Sequence, residues 1–340
     1  MNIKISTIVP IFNAGKYLEQ ALDSLALQNV DAGMAEFLLI NDGSTDNSLE
    51  IAKNYANDDE RFKVFDRSNV GYGATLNFGI SEACGEYVAV LEPDDWIDPG
   101  MYSKMLEVAD QDNLDIVRCN YKKVWTKAGF RAETIESTAD NMIGKIFKPK
   151  VWTDCFFFHP AIWSMIASRK MIVDNKITLL ETPGAAFQDT SYSFKLWACA
   201  NRAICLKEAY VNYRQDNEKS SINNPNTSEY VHREYEEIAE FIAGQDDKEM
   251  LAKCMMRRQF LAYVWNYERL DKPLHLNFAK TASEDMRKLF NAGFFDENLY
   301  EPWEISDLKL LADSAEKFVH FKDSTPRILR KLKHMKDMLK

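Results

Sequence analysis

The sequence predicts an α/β protein, a mostly parallel sheet with helices on both faces, followed by a helical C-terminal region. Three observations carry that prediction. Strand-like apolar runs and helical periodicities alternate four times between Ile3 and Leu91 across short connections, as parallel crossovers do. Polar residues gather at the carboxyl end of each strand: Asn13, then Asp42 and Asp46, then Asn69, then Glu92 to Asp95. Ligands of open α/β sheets bind at those ends. From Tyr230 onward the pattern is helical alone.

In chain order, Ile3 to Val9 is a β-branched run halted by Pro10 and reads as the first strand. Lys16 to Leu27 carries Tyr17, Leu18, Ala21, Leu22 and Leu25 at helical spacing. Glu36 to Ile40 is the second strand, ending in Asn41-Asp42-Gly43-Ser44-Thr45-Asp46, where Ser44 is placed to cap a helix over Ser48 to Tyr55. Phe62 to Phe65, Gly71 to Ala83 and Tyr87 to Leu91 follow as strand, helix and strand. Met101 to Ala109 is a helix, Asp115 to Asn120 a strand, and Tyr121 to Ile135 a hairpin ahead of the aromatic segment Val151 to Phe158. Trp163 to Ser168 reads as a strand, and Lys170 to Asn175 and Gln188 to Cys199 as helices. Ala203 to Leu206 and Ala209 to Tyr213 then read as two short strands. The polar stretch Gln215 to Ser228, with its Asn-Pro signal, reads as a loop and a boundary. Helices are expected over Tyr230 to Ala243, Lys248 to Leu270, Phe278 to Phe290 and Ile305 to Phe318. The domains read as 1–215, 216–322 and a basic amphipathic tail helix over 323–340.

A hydrophobic content of 46% and a charged content of 28% suit a globular chain. The formal net charge of −10 argues against a nucleic-acid partner, whose footprint is a basic face. The tail runs the other way: residues 322–340 hold seven Lys or Arg against two Asp. A basic amphipathic helix reads either as a peripheral membrane contact through residues 325–340, as a partner-docking element, or as a helix folded onto its own domain. Six scattered cysteines without a Cys-x-x-Cys pair read as buried thiols of a reducing compartment. A strand beginning two residues after Met1 leaves no room for a signal peptide, and no apolar run reaches membrane-spanning length, so the expected location is cytoplasmic.

The chemistry concentrates after the fourth strand, where Leu91-Glu92-Pro93-Asp94-Asp95 sets three carboxylates within four residues. Like charges so close repel unless a cation or a partner neutralises them. Carboxylates with substrate phosphates suit Mg2+ or Mn2+, and the other reading is a solvated acidic turn. Gly71-Tyr72-Gly73 opens a helix after a strand, but Leu76 stands where a dinucleotide fingerprint has its third glycine. No Walker-type loop is present.

Val9-Pro10-Ile11-Phe12-Asn13, Asn41-Asp42-Gly43-Ser44-Thr45-Asp46, Asn69-Val70-Gly71, Asn77-Phe78-Gly79, Gly85-Glu86-Tyr87 and Glu92-Pro93-Asp94-Asp95 recur in family 2 glycosyltransferases in this order and spacing. Over residues 1–215 the chain resembles that family. The resemblance implies a GT-A nucleotide-sugar-binding fold that inverts anomeric configuration, using a nucleotide-sugar donor, most often a UDP-sugar, and Mn2+ or Mg2+. It implies a saccharide acceptor, in some such families lipid-linked, in polysaccharide or glycan synthesis. Asp42 would accept from the uracil N3–H, and Pro10, Asn13, Asn69, Gly71 and Asp94 would line the donor site. Asp94, Asp95 and Glu92 would hold the metal, although Glu92 stands where Asp is usual. Asp189, preceded by Gln188, matches the catalytic base. A turn-former at Asp42 and a helix N-cap at Asp189 are the structural alternatives. Trp163 corresponds to an acceptor-side aromatic and Arg214 to a phosphate-side cation, with a core Trp and a surface Arg as alternatives. His159 reads as a packed polar residue rather than a metal ligand. Asp46 reads as a structural turn residue. A catalytically silent sugar-nucleotide-binding or scaffold protein of the same fold is the alternative function, and the presence of all four of Asp42, Asp94, Asp95 and Asp189 argues against it.

Overall fold

A computed structural model describes residues 3–31, 33–127, 129–218 and 230–325. The chain divides into two compact units, Met1–Ser221 and Ile222–Lys340. The tail helix expected over 323–340 lies, beyond Thr325, outside the described residues, and so does most of the expected loop Gln215 to Ser228.

The first unit begins with four strands separated by three helices. Strands β1 (Ile5–Ile11), β2 (Ala35–Asp42), β3 (Phe62–Arg67) and β4 (Tyr87–Val90) alternate with helices α1 (Leu18–Ala26), α2 (Ser48–Asp58) and α3 (Tyr72–Glu82). The four strands pair in parallel in the order β3-β2-β1-β4. Every residue of β1 and β2 is buried, the polar Ser6, Thr7, Glu36, Asn41 and Asp42 among them, as befits strands covered on both faces. The two-residue β5 (Trp96–Ile97) and α4 (Met101–Asp112) precede the hairpin β6 (Ile116–Trp125) and β7 (Arg131–Ile135). Strand β8 (Met165–Ser168), helices α5 (Arg169–Asp174) and α6 (Gln188–Cys199), and β9 (Ala203–Arg214) complete the unit.

The sheet continues β4-β8-β6-β9-β5, with β8 antiparallel to both β4 and β6, and β9 parallel to β6 but antiparallel to β5. The sheet is therefore mixed, parallel in its first half. β9 corrects the expectation of two strands: the exposed Lys207 and Glu208 interrupt the apolar pattern, but pairing with β6 resumes after a register shift around Asn120. The Asn120 Nδ2 amide donates to Lys207 O (3.0 Å) at that irregularity. Ser44 does not cap α2, whose N-cap is Asn47; the Ser44 hydroxyl accepts from the Asn13 N–H (3.0 Å) instead.

The second unit consists, among the described residues, of α7 (Tyr230–Ala243), α8 (Lys248–Tyr267), α9 (Lys272–Asn291), α10 (Pro302–Asp313) and α11 (Ala315–Ser324). The helix expected from Phe278 begins at Lys272, because Pro273 favours initiation in a first turn. The single helix expected over Ile305 to Phe318 breaks at Ser314, which adopts φ −156° and caps α11 by accepting from the Lys317 N–H. A buried ion pair, Lys322 to Asp307 (2.5 Å), ties α11 to α10. No described helix is long and apolar enough to cross a membrane. Cys84 is exposed and Cys199 half-buried, against the expectation of six buried thiols; the other four are buried.

Candidate active site

The carboxyl ends of β1, β2 and β4 bring the predicted residues to one edge of the sheet. Pro10 fits β1 because strand alternation turns it to the side of Ile8, whose carbonyl accepts from the Leu91 N–H (3.0 Å). Pairing with β4 ends at Ile8, so the missing N–H of Pro10 leaves no ladder bond unmade. Asn13 follows with φ 50°, and its side chain turns into the neighbouring loop, where Oδ1 accepts from the Thr45 N–H (2.7 Å). Asp46 is a turn residue: its oxygens accept from the N–H groups of Ser48 and Gly15, both at 3.0 Å.

Asp42 ends β2 and is 5% exposed. Its Oδ1 accepts from the Val70 N–H (2.8 Å) and its Oδ2 from the Gly71 N–H (3.1 Å). It thus fixes the loop that opens α3, and each oxygen keeps a second lone pair. Asn69 is exposed on the same loop.

The acidic turn is held by a single arginine. Arg214, 4% exposed, donates from its backbone N–H to Asp95 Oδ1 (2.7 Å) and from Nε to Asp94 O (2.8 Å). Its Nη1 reaches Thr126 Oγ1 (2.8 Å) and its Nη2 reaches Gln20 Oε1 (2.6 Å). The guanidinium lies over the rings of Tyr17 (4.5 Å) and Trp96 (4.9 Å), an arrangement a lysine could not copy. Arg214 is a buried frame rather than a surface residue.

Asp95 is 1% exposed, and its Oδ2 has no hydrogen-bond partner. Burial and the charge of Asp94 push its carboxyl well above the usual range, against the Arg214 N–H bond. Burial likewise pushes Glu92 up to about 8, against the hydrogen bond from Tyr72 OH (2.5 Å) and reinforced by Asp94 and Asp189. Asp94 is half-buried, with Oδ2 accepting from Asn217 Nδ2 (2.7 Å). Among the described residues no three His, Cys, Asp or Glu side chains converge to hold a metal by themselves. Glu92, engaged by Tyr72, does not close such a cage.

Asp189 reaches this cluster from α6. The N-cap of that helix is Phe187 at φ 63°, so Asp189 is the second helical residue rather than the cap itself. Its charge acts on Glu92, on the Tyr72 hydroxyl and on the Tyr213 hydroxyl, and that last group also feels Asp94 and Asp95. The segment before α6 lies against the start of α3. Gly184 O accepts from the Tyr72 N–H (3.0 Å), and a Cβ on Gly71 (φ 94°) would stand 2.9 Å from Thr182 O. At Gly73 a Cβ would lie 2.2 Å from Leu180 O, so only glycine fits. Gly73→Ala is expected to destabilise the protein by about 1–3 kcal/mol, because a backbone carbonyl must move. Denaturant unfolding at wild-type midpoint would show that the segment yields freely.

Sequence reasoning missed Tyr72, Tyr213, Gln20 and Thr126. The visible signal for Tyr72 was its place in Gly-Tyr-Gly, and for Tyr213 its place beside Arg214. Trp163 is 6% exposed and packs against Tyr121 (4.8 Å) and Tyr213 (5.0 Å), so it supports Tyr213 from the core. His159 is exposed, with its ring 6.2 Å from that of Tyr121.

Residues 6–169 match the family described as Glycosyl transferase family 2. They form a family 2 glycosyltransferase domain. YibD of Escherichia coli, named an uncharacterized glycosyltransferase, is 31% identical over 62% of this chain and 61% of its own. EpsH of Bacillus subtilis, named a putative glycosyltransferase, is 32% identical over 62% of this chain and 60% of its own. The chain thus spans about three fifths of the length of these curated relatives. In fold, S. aureus TarS 1–349 in complex with UDP-GlcNAc superposes with a TM-score of 0.76 at 18% identity, over 95% of this chain and 91% of that one. The domain's mixed sheet with flanking helices is the GT-A arrangement that the motifs predict.

Proposed function

We propose that the glycosyltransferase domain moves a hexose from a UDP-sugar to a saccharide hydroxyl with inversion at the anomeric carbon. The observation that carries this reading is Asp95 Oδ2, a buried carboxylate oxygen without a partner, beside Asp94 and near Glu92, on which the charge of Asp189 also acts. Such an arrangement is costly unless a cation and a diphosphate complete it. A Mg2+ or Mn2+ ion takes one or two carboxylates and fills its shell with phosphate oxygens and water, so the missing third carboxylate is no obstacle. Asp95 and Asp94 are the residues that would hold it. Such an ion would supply charge stabilisation for the departing diphosphate.

The chain's own groups do the rest. Asp42 retains lone pairs for the uracil N3–H while it pins residues 70 and 71. Arg214 keeps Asp94 and Asp95 in place. Asp189 takes the proton from the acceptor hydroxyl as the acceptor oxygen bonds to the anomeric carbon and the bond to the phosphate oxygen breaks. A single displacement of this kind inverts configuration, and UDP leaves with the bonding pair.

The test has two arms. UDP with Mn2+ is expected to raise the melting temperature of the full chain, and CDP with Mn2+ to raise it less, because cytosine has no N3–H. A panel of UDP-hexoses, followed by mass spectrometry, is expected to show UDP release from at least one. No thermal shift and no release would refute the reading.

A further inference from the structure

Asp189 follows a segment that lies 102 residues beyond Asn77 in sequence yet is attached to it directly. Asn77, in the second turn of α3, donates from Nδ2 to Leu179 O (2.9 Å) and to Glu181 Oε1 (2.9 Å). Its Oδ1 accepts from the Leu179 N–H (2.8 Å). One amide thus satisfies both backbone groups of Leu179, as a rung of a β-ladder would, and uses its donors fully. Further along, Gly184 O takes the Tyr72 N–H at the first residue of the same helix. The turn between is braced from within: Gln188, 1% exposed, donates to Thr182 Oγ1 (2.8 Å) and accepts from the Ala186 N–H (2.6 Å). Two attachments on α3, one at Tyr72 and one at Asn77, stop residues 179–188 from sliding along it.

The same helix end is fixed to the other parts of the site. Asp42 holds the two residues before α3, and the Tyr72 hydroxyl holds Glu92. Residues that bind the nucleotide, the acidic turn and Asp189 are therefore all referred to one helix terminus. We propose that Asn77 is a positioning residue for Asp189, setting where that carboxylate stands relative to the acidic turn. The proposal rests on Asp189 being the base. Asn77 touches no reacting atom; it acts through the segment it holds. Displacing a general base by about 1 Å is enough to cost up to about a hundredfold in rate.

The test compares full-length Asn77→Ala, Asn77→Asp and Asp189→Asn with the wild type. UDP affinity is measured by calorimetry in Mn2+, turnover as UDP release from the UDP-hexose that the wild type uses fastest, and backbone order by hydrogen exchange. For Asn77→Ala, kcat is expected to fall about tenfold to a hundredfold while donor KM and UDP affinity stay within about twofold. Faster exchange should be confined to residues around 179–190. Asn77→Asp loses both donors and faces the Glu181 carboxylate, so its loss is larger, and Glu181→Gln added to it restores part. Should the alanine variant not fold, Asn77→Ser gives the same readout. Wild-type kcat in Asn77→Ala, with Asp189→Asn inactive, overturns this inference alone. Loss of kcat and UDP affinity together also overturns it, since Asn77 would then be a general prop. Normal turnover by Asp189→Asn instead overturns the assignment of the base.

Discussion

Asp189→Asn is expected to lower transfer by about a hundredfold or more, because an amide cannot take the acceptor proton. The fold should survive the change. Asp189 is the second residue of α6 and not its cap, so the helix keeps the Phe187 entry and the bracing by Gln188. What stability is lost comes from the interaction of a carboxylate with the helix N-terminus, about 0.3–1 kcal/mol. UDP affinity should be unchanged, because the groups proposed to hold the nucleotide stand on β2 and the acidic turn. The measurement is initial rate of UDP release beside UDP binding and the melting temperature. Normal transfer, or a variant that unfolds, would return Asp189 to a purely structural role.

The parts of this architecture that the sequence discloses are those with local causes. β1, β2 and β4 are buried throughout, whereas β3, at the end of the strand order, is only partly buried and shows as a short strand through Phe62, Val64 and Phe65. The insertion of β8 between β4 and β6 depends on partners far along the chain, and nothing in Met165–Ser168 announces its direction. Lys207 and Glu208 hide the continuity of β9, because a register shift in β6 tolerates an exposed polar pair that periodicity counts as a break. Among the residues of the proposed site, Asp42, Asp94, Asp95 and Asp189 stand out in the sequence through their motifs. Arg214 was legible as an arginine but not as the frame of the acidic turn, since its contacts to Asp94 and Asp95 span about 120 residues. Asn13 shows the reverse: its motif is visible, but its side-chain oxygen serves the Thr45 N–H. Glu92 departs from the family pattern, and the longer side chain meets Tyr72, a contact that no spacing rule anticipates.

Asp95→Asn separates a functional carboxylate from a structural one, because its expected effects on activity and on stability have opposite signs. The amide oxygen can still accept the Arg214 N–H, so the turn keeps its frame. The change removes a buried carboxyl that is costly to ionise beside Asp94 and Glu92 and whose Oδ2 lacks a partner. Without metal or nucleotide, the variant should therefore melt at the wild-type temperature or above it. Turnover should fall by about 10²–10³, the usual cost of deleting a preorganised electrostatic contact at a departing group. A neutral amide is a poorer ligand for a hard cation, so Mn2+ should no longer add to the thermal shift given by UDP. EDTA should abolish wild-type turnover and Mn2+ or Mg2+ restore it. If chelation leaves the wild type active and Asp95→Asn turns over normally, Asp95 is only the acceptor for Arg214. If the variant is instead strongly destabilised with metal absent, the unpartnered oxygen is part of the fold rather than of the chemistry.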